Sequence, residues 1–149
     1  MKADISEERR AFLKTDFSRG FIRYCRFEAE KIGRGYFQSK VTIKKDHLQQ
    51  DGFIHAGVMA AMADHTAGYA AFTVVSERIQ ILTVEFKINF LKPASGDTLI
   101  CRATVIREGK QLIVSESEVF DIKKGAENLV AKALVTLMAV PKEKIAIPK

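Results

Sequence analysis

Apolar and polar residues along the chain follow two different periods, which predict a short helix, two strands, a long helix and four further strands in that order. Apolar residues alternate with polar ones from Tyr24 and again over residues 37–43, and the Gly-containing turn between these segments predicts a β-hairpin. Residues 56–74 are rich in Ala and Gly and predict a central helix on which another element packs closely. The four later strands are expected at residues 79–91, 99–107, 111–122 and 129–140.

The N-terminal helix has its own start and stop signals. Asp4 and Glu7 have the spacing of a capping box, the helix is expected to run through about Phe17, and Gly20 is expected to end it. The side chains that we expect to dock on the rest of the protein are Phe12, Leu13 and Phe17.

The last four strands predict an antiparallel meander, which needs a cover over its apolar face. In the first of them, one face is expected to carry Leu82, Val84, Phe86, Ile88 and Phe90, and the other Thr83, Glu85, Lys87 and Asn89. Because one long helix is available, the simplest α+β arrangement is an antiparallel sheet wrapped around that helix. We expect a single domain over residues 1–149, in which residues 1–20 and the tail 142–149 are peripheral and the tail frays. Exposed sheet edges favour pairing between two copies, and hence a homo-oligomer.

Composition and charge exclude several classes of protein. The chain has 47% hydrophobic and 28% charged residues, as in an ordinary globular protein. Cys25 and Cys101 are far apart and are expected to be free thiols in a reducing compartment. No run has the length of a membrane span or the pattern of a secretory signal, which favours a cytoplasmic protein without a membrane partner. The net charge of +6 indicates in the first place a solvated basic surface. The basic residues are scattered and form no nucleic-acid-binding motif, so among anionic partners a small phosphorylated ligand fits better than nucleic acid.

The most informative segment is residues 49–68, which join a turn to the start of the central helix. Asp64 is the one carboxylate within that otherwise apolar helix. Because an unpaired buried charge is too unfavourable, Asp64 is expected at a subunit contact, in a polar pocket or in an active site. Of the other titratable groups, His47 is expected at the surface and His65 at an interface or the surface. No cluster has the spacing of metal ligands, so we expect no metal.

This segment resembles a known family, the hot-dog fold acyl-CoA thioesterases. The closest branch is the phenylacetic-acid-pathway (PaaI-like) type, related to the 4-hydroxybenzoyl-CoA thioesterases. The pattern that carries the resemblance is Gln49-x-x-Gly52-x-x-His55-Ala56-Gly57, with Asp64 eight residues after Ala56. Residues 83–94 look like the family's third strand and its Pro-containing turn. Gln49 stands where the family usually has Asn, and Ala56 where it has the first Gly of a pair, but Gln keeps the amide and Ala keeps the backbone N–H.

These residues suit thioester hydrolysis, in which negative charge develops on the carbonyl oxygen. The N–H of Ala56, with that of Gly57 as a second candidate, opens a helix and is a natural donor to that oxygen. Asp64 lies about 12 Å further along the helix axis, so the two groups can meet only if Asp64 faces the helix start of another subunit. The resemblance implies the same, because the family's sites lie across a dimer interface. Asp64 then acts either as nucleophile or as general base on water.

The resemblance also implies supporting roles for other residues. Gln49 and His55 orient the carbonyl and the loop, and the Thr83 hydroxyl holds the attacking water. Met59 and Met62 are core residues by type, but the helix flank lines the acyl pocket in this fold, so either can also contact substrate. Coenzyme A is part of the substrate and no cofactor is expected. The minimal active unit is a dimer, and the family commonly pairs dimers into tetramers.

Two other functions are alternatives to the acyl-CoA thioesterase. The enoyl-acyl hydratases and dehydratases have a similar fold, but they use a differently spaced Asp/His pair that this chain lacks. A non-catalytic acyl-CoA-binding sensor remains the alternative, since it would bind acyl-CoA without turnover even with Asp64 in place. The sequence does not define the acyl group.

Overall fold

A computed structural model describes residues 2–146 and 148. These residues form three α-helices, six strands and two short 3-10 turns, one at Lys45–His47 before the third helix and one at Lys142–Lys144 after the last strand. The fraying predicted for the tail falls partly on residues 147 and 149, which lie outside the described residues. Within residues 2–146 and 148, no helix is both long and apolar enough to cross a membrane. The elements are α1 (Glu7–Phe17), α2 (Phe21–Cys25), β1 (Glu28–Gly33), β2 (Tyr36–Thr42), α3 (Ala56–Phe72), β3 (Ile79–Phe90), β4 (Thr98–Glu108), β5 (Leu112–Lys123) and β6 (Ala126–Pro141).

The six strands form one antiparallel sheet in the order β1-β2-β4-β5-β6-β3. The predicted meander is therefore right for β4, β5 and β6 but wrong for β3, which pairs with β6 rather than with β4. Segment 91–97 carries the chain from one edge of the sheet to the middle, where β4 pairs with β2. Strand β3 is thus a long edge strand beside α3.

The sheet wraps around α3, as predicted, and it approaches the helix closely because small residues meet at the contact. Ala63 and Ala67 are fully buried on the helix. Small polar groups of the sheet bond to it directly: the Ser117 hydroxyl donates to the Ala63 carbonyl at 2.7 Å, and the Ser39 and Thr66 hydroxyls share a hydrogen bond of 2.7 Å. These bonds satisfy polar groups that would otherwise be costly to bury between sheet and helix.

Three local predictions at the N-terminus are corrected by the structure. The side chain of Ser6, not of Asp4, caps α1, because its hydroxyl accepts from the Arg9 N–H at 3.1 Å. The Asp4 carboxylate instead accepts from two other backbone N–H groups, those of Ile5 and Arg34. Helix α1 ends at Phe17, as predicted, but its C-cap residue is Ser18 and not Gly20. The alternating residues do not form a strand from Tyr24, because Tyr24 and Cys25 belong to the short helix α2 and β1 starts at Glu28.

The face assignment predicted for β3 is also wrong in part, because the strand contains a β-bulge. Thr83 lies opposite Leu137 and Glu85 lies opposite Thr136, so Val84 is one extra residue. Leu137 is fully buried, which places Thr83 on the helix side of the sheet rather than on the outside. After the bulge the apolar side chains return to the helix side, where their partners on β6 are buried. These pairs are Phe86 with Val135, Ile88 with Ala133 and Phe90 with Ala131.

Candidate active site

The loop that leads into α3 is held by backbone hydrogen bonds to two other segments of the chain. The Ile54 N–H donates to the Ala94 carbonyl at 2.8 Å, and the His55 N–H donates to the His47 carbonyl at 2.9 Å. The His47 ring is itself buried and its Nε2 donates to the Cys25 carbonyl at 2.8 Å, so the expectation of a surface histidine is wrong. This network holds the helix start in one position.

His55 caps the helix with its side chain. Its Nδ1 accepts a hydrogen bond of 2.8 Å from the Gly57 N–H. A Cβ on residue 57 would lie 2.9 Å from that nitrogen, which explains why glycine occupies the position. The Gly57 N–H is therefore committed to the cap. The exposed Ala56 N–H has no acceptor in the described part of the chain, and it lies at the positive end of the α3 dipole.

Gln49 lies in a tight turn that precedes the helix start. Its N–H donates to the Phe53 carbonyl at 2.8 Å, and its carbonyl accepts from Gly52, whose φ of 88° requires glycine. The Gln49 side-chain oxygen accepts from the Asp51 N–H, which leaves its NH₂ group as a donor. Gln49, His55, Ala56 and Met59 line one cleft, which we call the helix-start cleft, together with residues 90–94.

Asp64 lies at a second cleft, the Asp64 cleft, between α1, α3 and β3. Its Oδ1 accepts a hydrogen bond of 2.7 Å from the Thr83 hydroxyl. The β3 bulge turns Thr83 toward the helix and so allows this contact. A half-buried carboxylate with one oxygen held by a donor keeps its second oxygen available to a substrate or a water. The structure thus brings Asp64 and Thr83 together.

The two clefts are separate within one chain. Gln49, His55 and Ala56 lie at one end of α3, and Asp64 lies about 12 Å along the axis from Ala56. Of the predicted substrate-contacting methionines, Met59 lines the helix-start cleft although it is almost fully buried. Met62 is fully buried in the core and lines none of the clefts in the described residues. Gln49, His55, Ala56 and Met59 therefore lie at one cleft and Asp64 and Thr83 at the other, whereas Met62 lies at neither.

The Asp64 cleft has a wall that the sequence did not predict. Helix α1 contributes Phe12 and Asp16, and α3 contributes Gly68 and Tyr69. The Tyr69 hydroxyl donates to the Asp16 carboxylate at 2.7 Å, which ties α1 to α3, and burial raises the pKa of that hydroxyl. One signal was available: Gly68 is four residues after Asp64, which places both on the same face of a helix.

His65 belongs to this wall and not to an open surface, and its expected place at an interface stays a prediction. Its ring lies between Phe17 and Tyr69, with centroids 4.5 and 4.7 Å away, and its Nε2 donates to the Phe17 carbonyl at 2.9 Å. Burial lowers the pKa of His65, although the nearby carboxylates of Asp64 and Asp16 oppose that effect. His65 thus joins the end of α1 to α3 in its neutral form.

Comparisons with known proteins agree with this architecture. The family model of the Thioesterase superfamily matches residues 51–127. A protein of Saccharolobus solfataricus, provisionally named an esterase, is 36% identical over 115 residues, which cover 77% of this chain and 74% of the relative. The crystal structure of a thioesterase family protein from Silicibacter pomeroyi superposes with a TM-score of 0.86 at 30% identity, covering 89% of this chain and 98% of that one.

A second similar structure carries a ligand. The protein smu.793 from Streptococcus mutans, bound to acetyl CoA, superposes with a TM-score of 0.69 at 23% identity, covering 78% of this chain and 90% of that one. At this identity the likeness concerns the fold. Together with the sheet order and the single wrapped helix, these comparisons confirm the predicted hot-dog fold.

Proposed function

Because the chain belongs to the Thioesterase superfamily, we propose that it hydrolyses the thioester of an acyl- or aryl-CoA, releasing the free acid and coenzyme A. The family establishes thioester hydrolysis in general terms, and the acyl-CoA substrate and the phenylacetic-acid-pathway branch are our proposals. The observation that carries the proposal is the Asp64 carboxylate, held by Thr83 on the open side of an otherwise apolar helix. The acetyl CoA bound to the similar S. mutans protein supports coenzyme A as the thiol half of the substrate.

The active unit that we propose is a dimer, because each chain alone holds two half-sites. The side of α3 that is not covered by the sheet carries one open face at helical spacing. The members of this open face are Gly57, Ala60, Ala61, Asp64 and Gly68. The small residues at positions 57, 60 and 61 allow the backbones of two helices to approach closely, whereas Gly68 lies beyond the expected overlap of the two helices. If a second copy packs its own open face antiparallel on this one, the Asp64 of each copy lies beside the helix start of the other.

The β3 edge supports the same dimer. A long edge strand exposes unpaired backbone groups, and such edges are usually covered or paired. Here the edge also exposes apolar side chains, including Val84 at 54% and Phe86 at 40% of their surface. Antiparallel pairing of two β3 strands would join the two sheets and bury these side chains beside the packed α3 helices. Further pairing of such dimers into a tetramer remains a proposal of the same kind.

In the proposed reaction the thioester carbonyl lies between Asp64 of one copy and the helix start of the other. The Ala56 N–H donates to the carbonyl oxygen, where negative charge develops, and the helix dipole adds to this stabilisation. His55 holds the helix start through its bond to Gly57, and the Gln49 NH₂ group orients the carbonyl from the preceding turn. Met59 contributes to the adjoining apolar wall. We propose no role for a cofactor, because these groups supply the chemistry that hydrolysis needs.

Asp64 can act by either of two balanced routes. As a nucleophile it adds to the carbonyl carbon, expels the thiolate and forms an anhydride, which water then hydrolyses. As a general base it takes a proton from water, the hydroxide adds to the carbonyl, and the tetrahedral intermediate expels the thiolate. Thr83 serves both routes because its hydroxyl fixes the carboxylate. A single turnover in ¹⁸O-water tests the nucleophilic route: label on Asp64 would require the anhydride, with water attacking its aspartyl carbon, because general-base attack places the label only in the released acid.

The test of the proposed function is thiol release from a panel of acyl- and aryl-CoAs, with Asp64→Asn and Asp64→Ala beside the wild type. We expect the wild type to hydrolyse at least one medium-chain or aryl substrate, and both variants to lose most of that activity while they still form the oligomer. Full activity in both variants would remove Asp64 from the reaction. Binding of acyl-CoA by the wild type without thiol release would instead identify the non-catalytic sensor.

A further inference from the structure

We propose that α1 closes the acyl-binding part of the site, and that Phe12 and Gly68 set the size of the acyl group. This inference rests on the proposed function, because it assigns the acyl half of the substrate to the Asp64 cleft. The Thioesterase superfamily match, residues 51–127, includes Gly68 but not α1. Substrate size would thus be controlled in part by an element outside the matched region.

The first observation is the open space above Gly68. Gly68 lies on the open face of α3, one turn beyond Asp64, and it lines the same cleft. A Cβ built on Gly68 meets no heavy atom within 4 Å. Since glycine weakens a helix interior relative to alanine, packing within the chain gives no reason for a glycine here. The open space above Gly68 can instead hold an acyl group, which would lie on the helix backbone next to the carboxylate.

The second observation is the apolar end of the cleft. Phe12 of α1 is 51% exposed, although Leu13 beside it is fully buried. Phe12 and Phe72 line the same cleft as Gly68, and the charged side chains of Arg9, Arg19 and Lys142 border it. The cleft has a volume of about 420 Å³ within one chain, before a second copy narrows it. An apolar acyl group that extends from Asp64 would therefore contact Gly68 first and Phe12 beyond it.

The third observation is that this wall is rigidly attached. The bond from the Tyr69 hydroxyl to Asp16 and the bond from His65 to the Phe17 carbonyl both join α1 to α3. A wall that is fixed to the catalytic helix can reject a large acyl group, whereas a loosely attached helix would move aside. Phe12 and Gly68 are thus assigned as specificity residues for apolar acyl groups and not as members of the reacting group.

The first arm of the test is the series Gly68→Ala, Gly68→Val and Gly68→Leu, assayed with acetyl-, butyryl-, octanoyl- and phenylacetyl-CoA. Because each added carbon occupies space that the acyl group would use, the ratio of kcat/KM for octanoyl- over acetyl-CoA should fall stepwise, by about tenfold or more at Leu. Sedimentation follows the oligomeric state of each variant. A uniform loss for all four substrates, or a loss of the dimer without a change in preference, would overturn the inference.

The second arm is Phe12→Ala, which should raise the same ratio by about tenfold because it lengthens the cleft. The matched control is Leu134→Ala, a similarly exposed apolar side chain on the outer side of the sheet, which should leave the ratio unchanged. Should Gly68→Leu fail to fold, Gly68→Ala and Phe12→Ala decide the question, and an unchanged ratio in both would refute the assignment.

A binding measurement separates this inference from the proposed function. Non-hydrolysable S-ethyl- and S-octyl-CoA thioethers are titrated calorimetrically into the wild type and the variants. Thioether binding whose chain-length preference follows the Gly68 series, in a wild type without thiol release, would sustain the size assignment and reject the hydrolysis. Thiol release whose chain-length preference is unchanged by substitutions at Phe12 and Gly68 would sustain the hydrolysis and reject the size assignment. No binding and no thiol release would reject both.

Discussion

Removal of a single backbone N–H would test the proposed oxyanion site directly, and the position of Ala56 allows this by mutation. Ala56 is the first residue of α3, a position at which proline is well tolerated because its missing N–H has no partner within the helix. The preceding His55 has φ −61° and ψ 134°, an extended conformation that is compatible with a following proline. Ala56→Pro therefore deletes the proposed donor and keeps the helix intact.

The expected effect is large on catalysis and small on stability. Loss of one donor to an oxyanion typically lowers kcat by roughly 100- to 1,000-fold, which corresponds to about 3–4 kcal/mol of transition-state stabilisation. The Gly57 N–H remains bonded to His55 and cannot replace the lost donor without releasing the cap. The melting temperature should change by less than about 3 °C, since no intrahelical hydrogen bond is lost.

The assay is steady-state thiol release, with thermal unfolding and sedimentation as measures of the folded dimer. Ala56→Gly is the matched control, because it removes the methyl group but keeps the N–H, and it should retain most of the activity. Activity of Ala56→Pro within about threefold of the wild type would place the oxyanion donor elsewhere, because a donor of this type contributes far more than threefold.

Three further outcomes follow from the geometry. Thr83→Val, which keeps the shape but loses the bond to Asp64, should lower kcat by about tenfold, while Thr83→Ser keeps the activity. The buried neutral His65 binds fewer protons than it does when unfolded, so stability should fall as pH decreases below about 6.5, and His65→Gln should flatten this slope in urea titrations between pH 5 and 7. Gly68→Ala should raise the free energy of unfolding by about 0.5–1 kcal/mol, because its methyl group meets open space, and a lower value would mean that the cleft is filled.

Local signals in the sequence predicted most of the elements, and the same signals explain the errors. The prediction of Asp64 and Ala56 as site residues rests on a pattern that lies within one loop and one helix, so it needs no tertiary information. The alternation from Tyr24 failed because Gly20, with a φ of 59°, restarts the chain as the short helix α2. A five-residue helix is too short for a 3.6-residue period to be distinguished from alternation.

Contacts between segments that are distant in the sequence could not be predicted from local sequence signals. The sequence predicts β3 next to β4 because neighbours in sequence usually pair, but its partner residues on β6 lie 41 to 62 positions further along the chain, from Phe90 with Ala131 to Ile79 with Pro141. The bulge at Val84 leaves no mark in the alternating pattern, and it determines that Thr83 faces Asp64. His65 was placed at the surface or an interface because nothing in the sequence shows that α1 folds back over that part of α3.

The central claim is that Asp64 acts with the helix start of a different copy, and mixed dimers test it most directly. Asp64→Asn and Ala56→Pro are each inactive under the proposal, and they are co-expressed in equal amounts with different tags. Random pairing makes half of the dimers mixed, and each mixed dimer has one intact site of two, so the mixture should show about a quarter of wild-type activity. Tandem purification on both tags should raise this fraction to about half. Activity no higher than that of the separate variants would contradict a site shared between two copies.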